Sequence, residues 1–326
     1  MLHVTNGDSA AERIRSLGLP GEVLPWRDVL HDGPVPRCAD DAKLRRVRAR
    51  FLADCGWTEY EQALAGLEAR DAALTRALAT DEVQLWFEPD LYDQLQLIQA
   101  LDFCRRNGGA HPVFLVPSDE FLSTTSDEQL LSWHRARLKV TEEHLEIGTR
   151  AWDAFQAPDP LELEREARKE LQVLPFLAPA LNRLIEEYPS TSDGLARSER
   201  QALEAVAEGP CTAEQAFRAS AAREEFAYLG DASFERYLIR LGEDPAPLIR
   251  FLDGGILEPA LPDDPARSFW SRDLELTEDG SSVLDGRVNR MKLLPLERWV
   301  GGVHLTAGRP EWRREPADGT LIAWQQ

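Results

Sequence analysis

The chain has 326 residues, an apolar fraction of 43% with 9 Trp, and a formal net charge of −20. That length suits two or three domains, and the apolar fraction excludes a disordered chain. The acidic balance argues against broad binding of nucleic acid or of an anionic membrane, because neutralising phosphate takes clustered Lys and Arg.

Met1-Leu-His-Val-Thr5 is a short apolar run, and Asn6-Gly-Asp-Ser9 precedes a helical pattern that begins at Ala10. This predicts a strand entering a helix through a tight turn, with backbone N–H groups and the positive end of a helix dipole aimed above the strand. The helix Ala10–Leu17 closes at Gly18, and a second strand, Gly21–Pro25, ends in Trp26-Arg27-Asp28. His31-Asp-Gly-Pro-Val-Pro36 reads as loop, since two prolines and a glycine exclude a regular element, and the loop should push His31 outward. Residues 40–79 are helical, with Leu44, Val47, Phe51, Leu52, Leu64, Leu67, Leu74 and Leu78 facing inward. Lys43, Arg45, Arg46, Arg48 and Arg50 form a basic run that reads as a solvated face among acidic neighbours. Glu82–Phe87 is a third strand, with Trp86 and Phe87 as core residues, and it leaves through Glu88-Pro89-Asp90. A helix over Leu91–Cys104, stopped by Asn107-Gly-Gly109, leads to a fourth strand, Pro112–Val116, and its exit Pro117-Ser118-Asp119. The alternation predicts an α/β domain with a flavodoxin-like or Rossmann-like parallel sheet in the order 2-1-3-4.

From Ser126 onward the pattern is mainly helical. Asp127–Thr149 reads as one long helix, and Leu161–Tyr188 as helix broken near Pro175 and Pro179. Beyond the polar linker Pro189–Gly194 come helices at Ser198–Ala207, Thr212–Ala222 and Ser233–Leu241, the second started by a Thr212–Gln215 capping box. Leu274–Gly280 and a helix to Leu284 resemble the end of a winged-helix wing, and Val303–Leu305 against Leu321–Trp324 reads as a terminal hairpin. The expected domains are therefore 1–125, an α/β ligand-binding domain; 126–192, a helical connector; and 193–326, a winged-helix-like domain with a C-terminal hairpin. Ser233–Leu241 carries only Arg236 and Arg240 amid acidic residues, which favours a protein partner over DNA for that domain.

Cys38, Cys55, Cys104 and Cys211 are scattered without a C-x-x-C spacing, so they read as reduced thiols. The first residues lack the basic and apolar regions of a signal peptide, and no run of about 18 apolar residues occurs. Together these predict a cytoplasmic protein that does not enter a membrane.

In an open parallel sheet, ligands bind beyond the carboxyl ends of the strands, where strand order reverses. The four exits deliver Asn6-Gly7-Asp8-Ser9, Trp26-Arg27-Asp28, Glu88-Pro89-Asp90 and Ser118-Asp119, with His31, Asp32, Tyr92, Asp93 and Gln94 close behind. Every strand thus hands a carboxylate to one edge, and their repulsion is relieved by a shared proton or by a cation of the Mg²⁺ type. Asp8, Ser9, Asp28 and Asp90 are equally good capping and turn residues.

His3-Val-Thr-Asn-Gly-Asp-Ser9, Trp26-Arg-Asp-Val-Leu-His-Asp-Gly-Pro34 and Leu85-Trp-Phe-Glu-Pro-Asp-Leu-Tyr-Asp-Gln-Leu95 resemble the signature of an uncharacterised bacterial family, a domain of unknown function. The resemblance spans roughly residues 1–125, with a family-like tail at Arg298-Trp-Val-Gly-Gly-Val-His-Leu305. It implies that these residues form one site and brings no activity with it. The family pattern has Glu-His-Asp where this chain has Glu88-Pro89-Asp90. Gly7-Asp8-Ser9 is also similar to the Gly-Asp-Ser hydrolases, a resemblance that makes Ser9 the nucleophile and Asp28-x-x-His31 its acid–base pair. In those enzymes the Asp-x-x-His block lies near the end of the domain instead.

Two readings follow. In the first, the Asn6–Ser9 amides, with Trp26, Arg27, Asp90, Tyr92, Asp93 and Gln94 around them, hold a phosphorylated or nucleotide-like small molecule. Asp8 and Glu88 ligate a divalent cation, and Asp28 and His31 act as acid and base in hydrolysis or group transfer. In the second, the sheet domain senses a ligand without catalysis and the winged-helix-like region is its output.

Overall fold

The computed structural model describes residues 1–169, 172–259, 268–306 and 311–324. The chain folds as two compact units, one comprising Met1–Asn182 with Trp299–His304, the other Arg183–Arg298 with the tail from Leu305.

In the first unit the elements run β1 (Leu2–Thr5), α1 (Asp8–Ser16), β2 (Glu22–Pro25), α2 (Asp41–Asp54), α3 (Tyr60–Thr80), β3 (Val83–Trp86), α4 (Leu91–Asn107), β4 (Val113–Val116), α5 (Asp127–Arg135), β5 (Leu138–Lys139), α6 (Glu142–Phe155) and α7 (Pro160–Ala167). The strands form one sheet in the order β2-β1-β3-β4-β5. The first four are parallel, as the alternating pattern requires, and β5 is added antiparallel on the β4 edge. The registers Thr5↔Pro25, Thr5↔Trp86 and Trp86↔Val116 bring the carboxyl ends of all four parallel strands level. Order therefore reverses between β1 and β3, so their exits flank the crevice expected at a topological switch point.

One side of the sheet is sealed by Ala10, Ile14, Trp86, Val116, Leu122, Leu130 and Trp133. Helix α4 is buried on almost every side, Gln94, Gln96, Gln99 and Asp102 included, which marks it as a central helix rather than a surface one.

Three expectations are corrected. The stretch 40–79 is two helices, because Gly56 adopts the left-handed conformation (φ 72°) that ends α2 and turns the chain before α3. The long helix over Asp127–Thr149 is interrupted: α5 ends at Arg135, Leu138–Lys139 pair with β4, and a capping box between Thr141 and His144 starts α6. An apolar period of 3.6 runs through this stretch, but backbone pairing to the sheet edge overrides it. The tail forms two hairpins instead of one, β9 (Arg298–Val300) with β10 (Val303–Leu305) and β11 (Glu311–Arg314) with β12 (Leu321–Trp324). The Gly301-Gly302 turn of the first hairpin belongs to the first unit. A Cβ at Gly302 would stand 2.0 Å from the Gln156 carbonyl, and Gly302 N–H donates to the Phe155 carbonyl (2.9 Å).

The chain passes out of the first unit within α8 (Leu177–Ile185). The second unit continues with α9 (Arg197–Ala207), β6 (Cys211–Thr212), α10 (Ala213–Ala221), α11 (Asp231–Leu241), β7 (Ile249–Phe251), β8 (Asp273–Leu276) and α12 (Glu278–Leu284). A small antiparallel sheet, β6-β8-β7, packs with these helices around Leu203, Val206, Phe234, Leu238, Phe251, Phe269 and Leu274. The Thr212–Gln215 capping box starts α10 as the spacing predicts. At the start of this unit Glu187, almost wholly buried, accepts hydrogen bonds from Arg183, Ser198 and Tyr237.

No helix among the described residues is long and apolar enough to cross a membrane, and all four cysteines are free thiols.

Candidate functional site

The exits of β1 and β3 meet through one side chain. Asn6, the first residue after β1, donates from Nδ2 to Glu88 Oε2 (3.1 Å) and to Asp93 Oδ2 (2.7 Å). Its Oδ1 accepts from the Gly7 N–H, so the amide is clamped at both ends and spans the switch-point crevice. Beyond β3, Asp90 caps α4, its side chain accepting from Asp93 N (3.1 Å). That cap turns Asp93 back toward the strand, where its Oδ1 accepts from Glu88 N (2.7 Å). Gln94 Nε2 donates to the Glu88 carbonyl (2.7 Å), and Leu122 N donates to Glu88 Oε1 (2.6 Å), which ties the segment after β4 to the same carboxylate.

The result is three buried carboxylates, Glu88, Asp90 and Asp93, each offering an oxygen within 4.8 Å of the others. Among the described residues no Lys or Arg forms an ion pair with any of them. Burial raises all three proton affinities. Asp90 is pushed up to about 7 by burial and then by the charge of Glu88. Asp93 rises well above the ordinary carboxylate range through burial and the charges of Asp90 and Glu88. Glu88 rises through burial, against the opposing hydrogen bonds from Leu122 and Asn6. Two chemical states relieve such a group, protonation or a divalent cation, and its all-oxygen donor set suits a hard ion such as Mg²⁺ or Ca²⁺.

The remaining predicted residues divide. Tyr92 stands in the first turn of α4 beside Asp93, and the His31 ring rests edge-on against it, centroids 5.6 Å apart. His31 is buried, not turned outward as its loop suggests. The reason is Arg48, which is 1% exposed and staples the loop from inside. Its Nε and Nη2 both grip Asp28 Oδ1 (2.9 and 2.8 Å), Nη2 reaches the Val29 carbonyl (2.7 Å), and Nη1 reaches the carbonyls of Asp32 (2.9 Å) and Pro34 (3.2 Å). Arg48 is thus no part of a solvated face, and Asp28 is its counter-ion. Arg48 follows Leu44 by four residues and precedes Phe51 by three, a spacing that already sets it on the buried stripe of α2. Gln96, also absent from the sequence-based set, donates from Nε2 to the Asp28 carbonyl (2.8 Å).

Asp8 and Arg27 pair with each other at the surface, two contacts of 2.5 and 2.8 Å joining the first turn of α1 to the exit of β2. Arg27 holds the Asp8 carboxyl below its usual range. Asp8 therefore lies outside the group whose oxygens converge, and the partners of Glu88 are Asp90 and Asp93. Ser9 is exposed on α1, whose N-cap is Gly7. Trp26 is fully buried, with its Nε1 on Gln99 Oε1 (2.7 Å) and the Arg70 guanidinium over its ring at 4.1 Å.

Neither a family model nor a curated protein matches the chain.

Proposed function

We propose that the first unit is a divalent-cation-dependent small-molecule binding domain, flavodoxin-like or Rossmann-like, whose cation is held by Glu88, Asp90 and Asp93. The observation that carries this reading is three buried carboxylates within 4.8 Å at the switch point of a parallel sheet, with no basic side chain among the described residues paired to any of them. Asn6 orients two of the three ligands, as an outer-sphere partner does in metal sites generally. The open N-terminus of α1, without a side-chain cap, and the exposed Arg27 beside it suit the anionic part of a phosphorylated or nucleotide-like ligand. Catalysis in this scheme is metal-assisted hydrolysis or group transfer, with His31, packed against Tyr92, as the acid–base group and Asp28 confined to anchoring through Arg48. The likeness to the uncharacterised bacterial family fits a shared site built from the same three blocks.

Thermal unfolding tests the cation. A cation at 100 times its Kd should stabilise the fold by about 3 kcal/mol, because the unfolded chain scarcely binds it. Mg²⁺ or Mn²⁺ should raise the Tm of the native chain and not that of Asp93→Asn. Equal shifts in both, or none in either, would remove the cation from the account.

A second reading, a sensor with a winged-helix-like output, draws on the second unit. Three helices, α9 to α11, beside the three-stranded antiparallel sheet β6-β8-β7 support this reading. Under this reading the output contact is a protein, in keeping with the acidic charge.

A further inference from the structure

The basic run on α2 has a use that the carboxylate site does not absorb. Between β2, α2, α3 and α4 lies a cavity of about 20 Å³, lined among others by Trp26, Asp28, Arg45, Arg48, Arg70 and Arg106. Four arginines line it, against the three aspartates Asp28, Asp41 and Asp71, in a protein whose net charge is −20. Asp102, which also takes Arg106 Nε, is not part of the lining.

Most of these groups are saturated. Arg48 spends its donors on Asp28 and the loop carbonyls. Asp71 takes Arg70 Nε on Oδ1 (2.9 Å) and Arg45 Nη1 on Oδ2 (2.7 Å). Two donors are left over: Arg70 Nη1, on a side chain 7% exposed, and Arg45 Nε, both shielded from solvent and without a hydrogen-bond partner among the described residues. The Trp26 ring under Arg70 stabilises its charge but offers no lone pair to the in-plane N–H. A buried donor left unmade costs free energy, and a charged one costs most.

We infer that this cavity binds one small monovalent anion of about chloride size, which accepts hydrogen bonds from Arg70 and Arg45. The volume admits one water-sized occupant. A water there would have to place two protons of its own, and Asp71, the carboxylate that Arg45 and Arg70 share, already takes an arginine N–H on each oxygen. An anion only accepts, and so matches two orphan cationic donors. The exposed Asp41–Arg106 pair (2.8 Å), between the first turn of α2 and the last turn of α4, is the way in. The site is separate from the carboxylate cluster and stands whether or not that cluster holds a cation.

The test is ³⁵Cl NMR line broadening with the full-length chain. Chloride should broaden saturably and be displaced by bromide. The excess broadening should vanish in Arg70→Gln and persist in Arg46→Gln, an exposed arginine of the same helix that does not line the cavity. Arg45→Gln, at a more accessible position, gives the same reading should Arg70→Gln fail to fold. In parallel, replacing gluconate by chloride at constant ionic strength should raise Tm by on the order of 3 °C at ten times the Kd. Broadening that is equal in the native chain and both cavity variants, or an identical Tm in the two salts, overturns the site.

Discussion

Replacing Arg48 with Met should be among the most damaging single changes in the first unit. Arg48 and Asp28 are each 1% exposed, and the guanidinium also satisfies three loop carbonyls. Removing one partner of a buried ion pair leaves an uncompensated charge and costs about 3–5 kcal/mol. Each carbonyl that water cannot reach adds about 1 kcal/mol or more. A loss of roughly 6–8 kcal/mol is a large share of the 5–15 kcal/mol that holds a typical domain together. Urea unfolding followed by tryptophan fluorescence gives the cost directly. If the stranded Asp28 charge is the main cost, the double variant Arg48→Met with Asp28→Asn should recover about 2 kcal/mol relative to Arg48→Met alone. Arg48→Lys should fall between, since an ammonium keeps the charge but cannot bridge Asp28 and three carbonyls at once. A loss below about 1 kcal/mol for Arg48→Met, or simple additivity in the double variant, would refute the staple.

Asn6→Asp would place a fourth carboxylate against Glu88 and Asp93 and remove the amide donor shared by both. It should lower Tm in EDTA and make stability more dependent on Mg²⁺ than in the native chain; an unchanged Tm in EDTA would show that Asn6 does not bridge the cluster. In the second unit, burial alone would raise the Glu187 carboxyl, but Arg183 and Arg298 outweigh it and hold the group at about 2. Its folded value is below the unfolded one of about 4.3, so it contributes stability that is fully present above that unfolded value and lost as pH falls toward 2, about 3 kcal/mol in all. Glu187→Gln should therefore flatten the stability profile between pH 5 and about 2, and an unaltered slope would contradict the burial of this charge.

The sheet was legible because each parallel strand is a short apolar run closed by a proline, glycine or aspartate, and the parallel order follows from helices standing between them. The N-cap role of Asp90 was legible for the same reason, as an aspartate directly before a helical period. Asp93 was harder to weigh, since a carboxylate in a first turn usually faces water and its burial depends on Asn6 arriving from another strand. His31 illustrates a different limit: two prolines argue for an exposed loop, yet an arginine from α2 draws the loop carbonyls inward and the ring with them. The β5 pairing rests on two residues and no side-chain pattern, so nothing in Leu138–Lys139 announces it.

Glu88, Asp90 and Asp93 are proposed to hold one divalent cation. Counting Mn²⁺ bound to EDTA-treated protein by electron paramagnetic resonance tests it most directly. One tightly bound ion per chain is expected, displaced by Mg²⁺, abolished by Asp93→Asn and retained in Asp8→Asn, whose carboxylate is committed to Arg27. No bound ion at millimolar Mn²⁺, or the same count in Asp93→Asn as in the native chain, would contradict it.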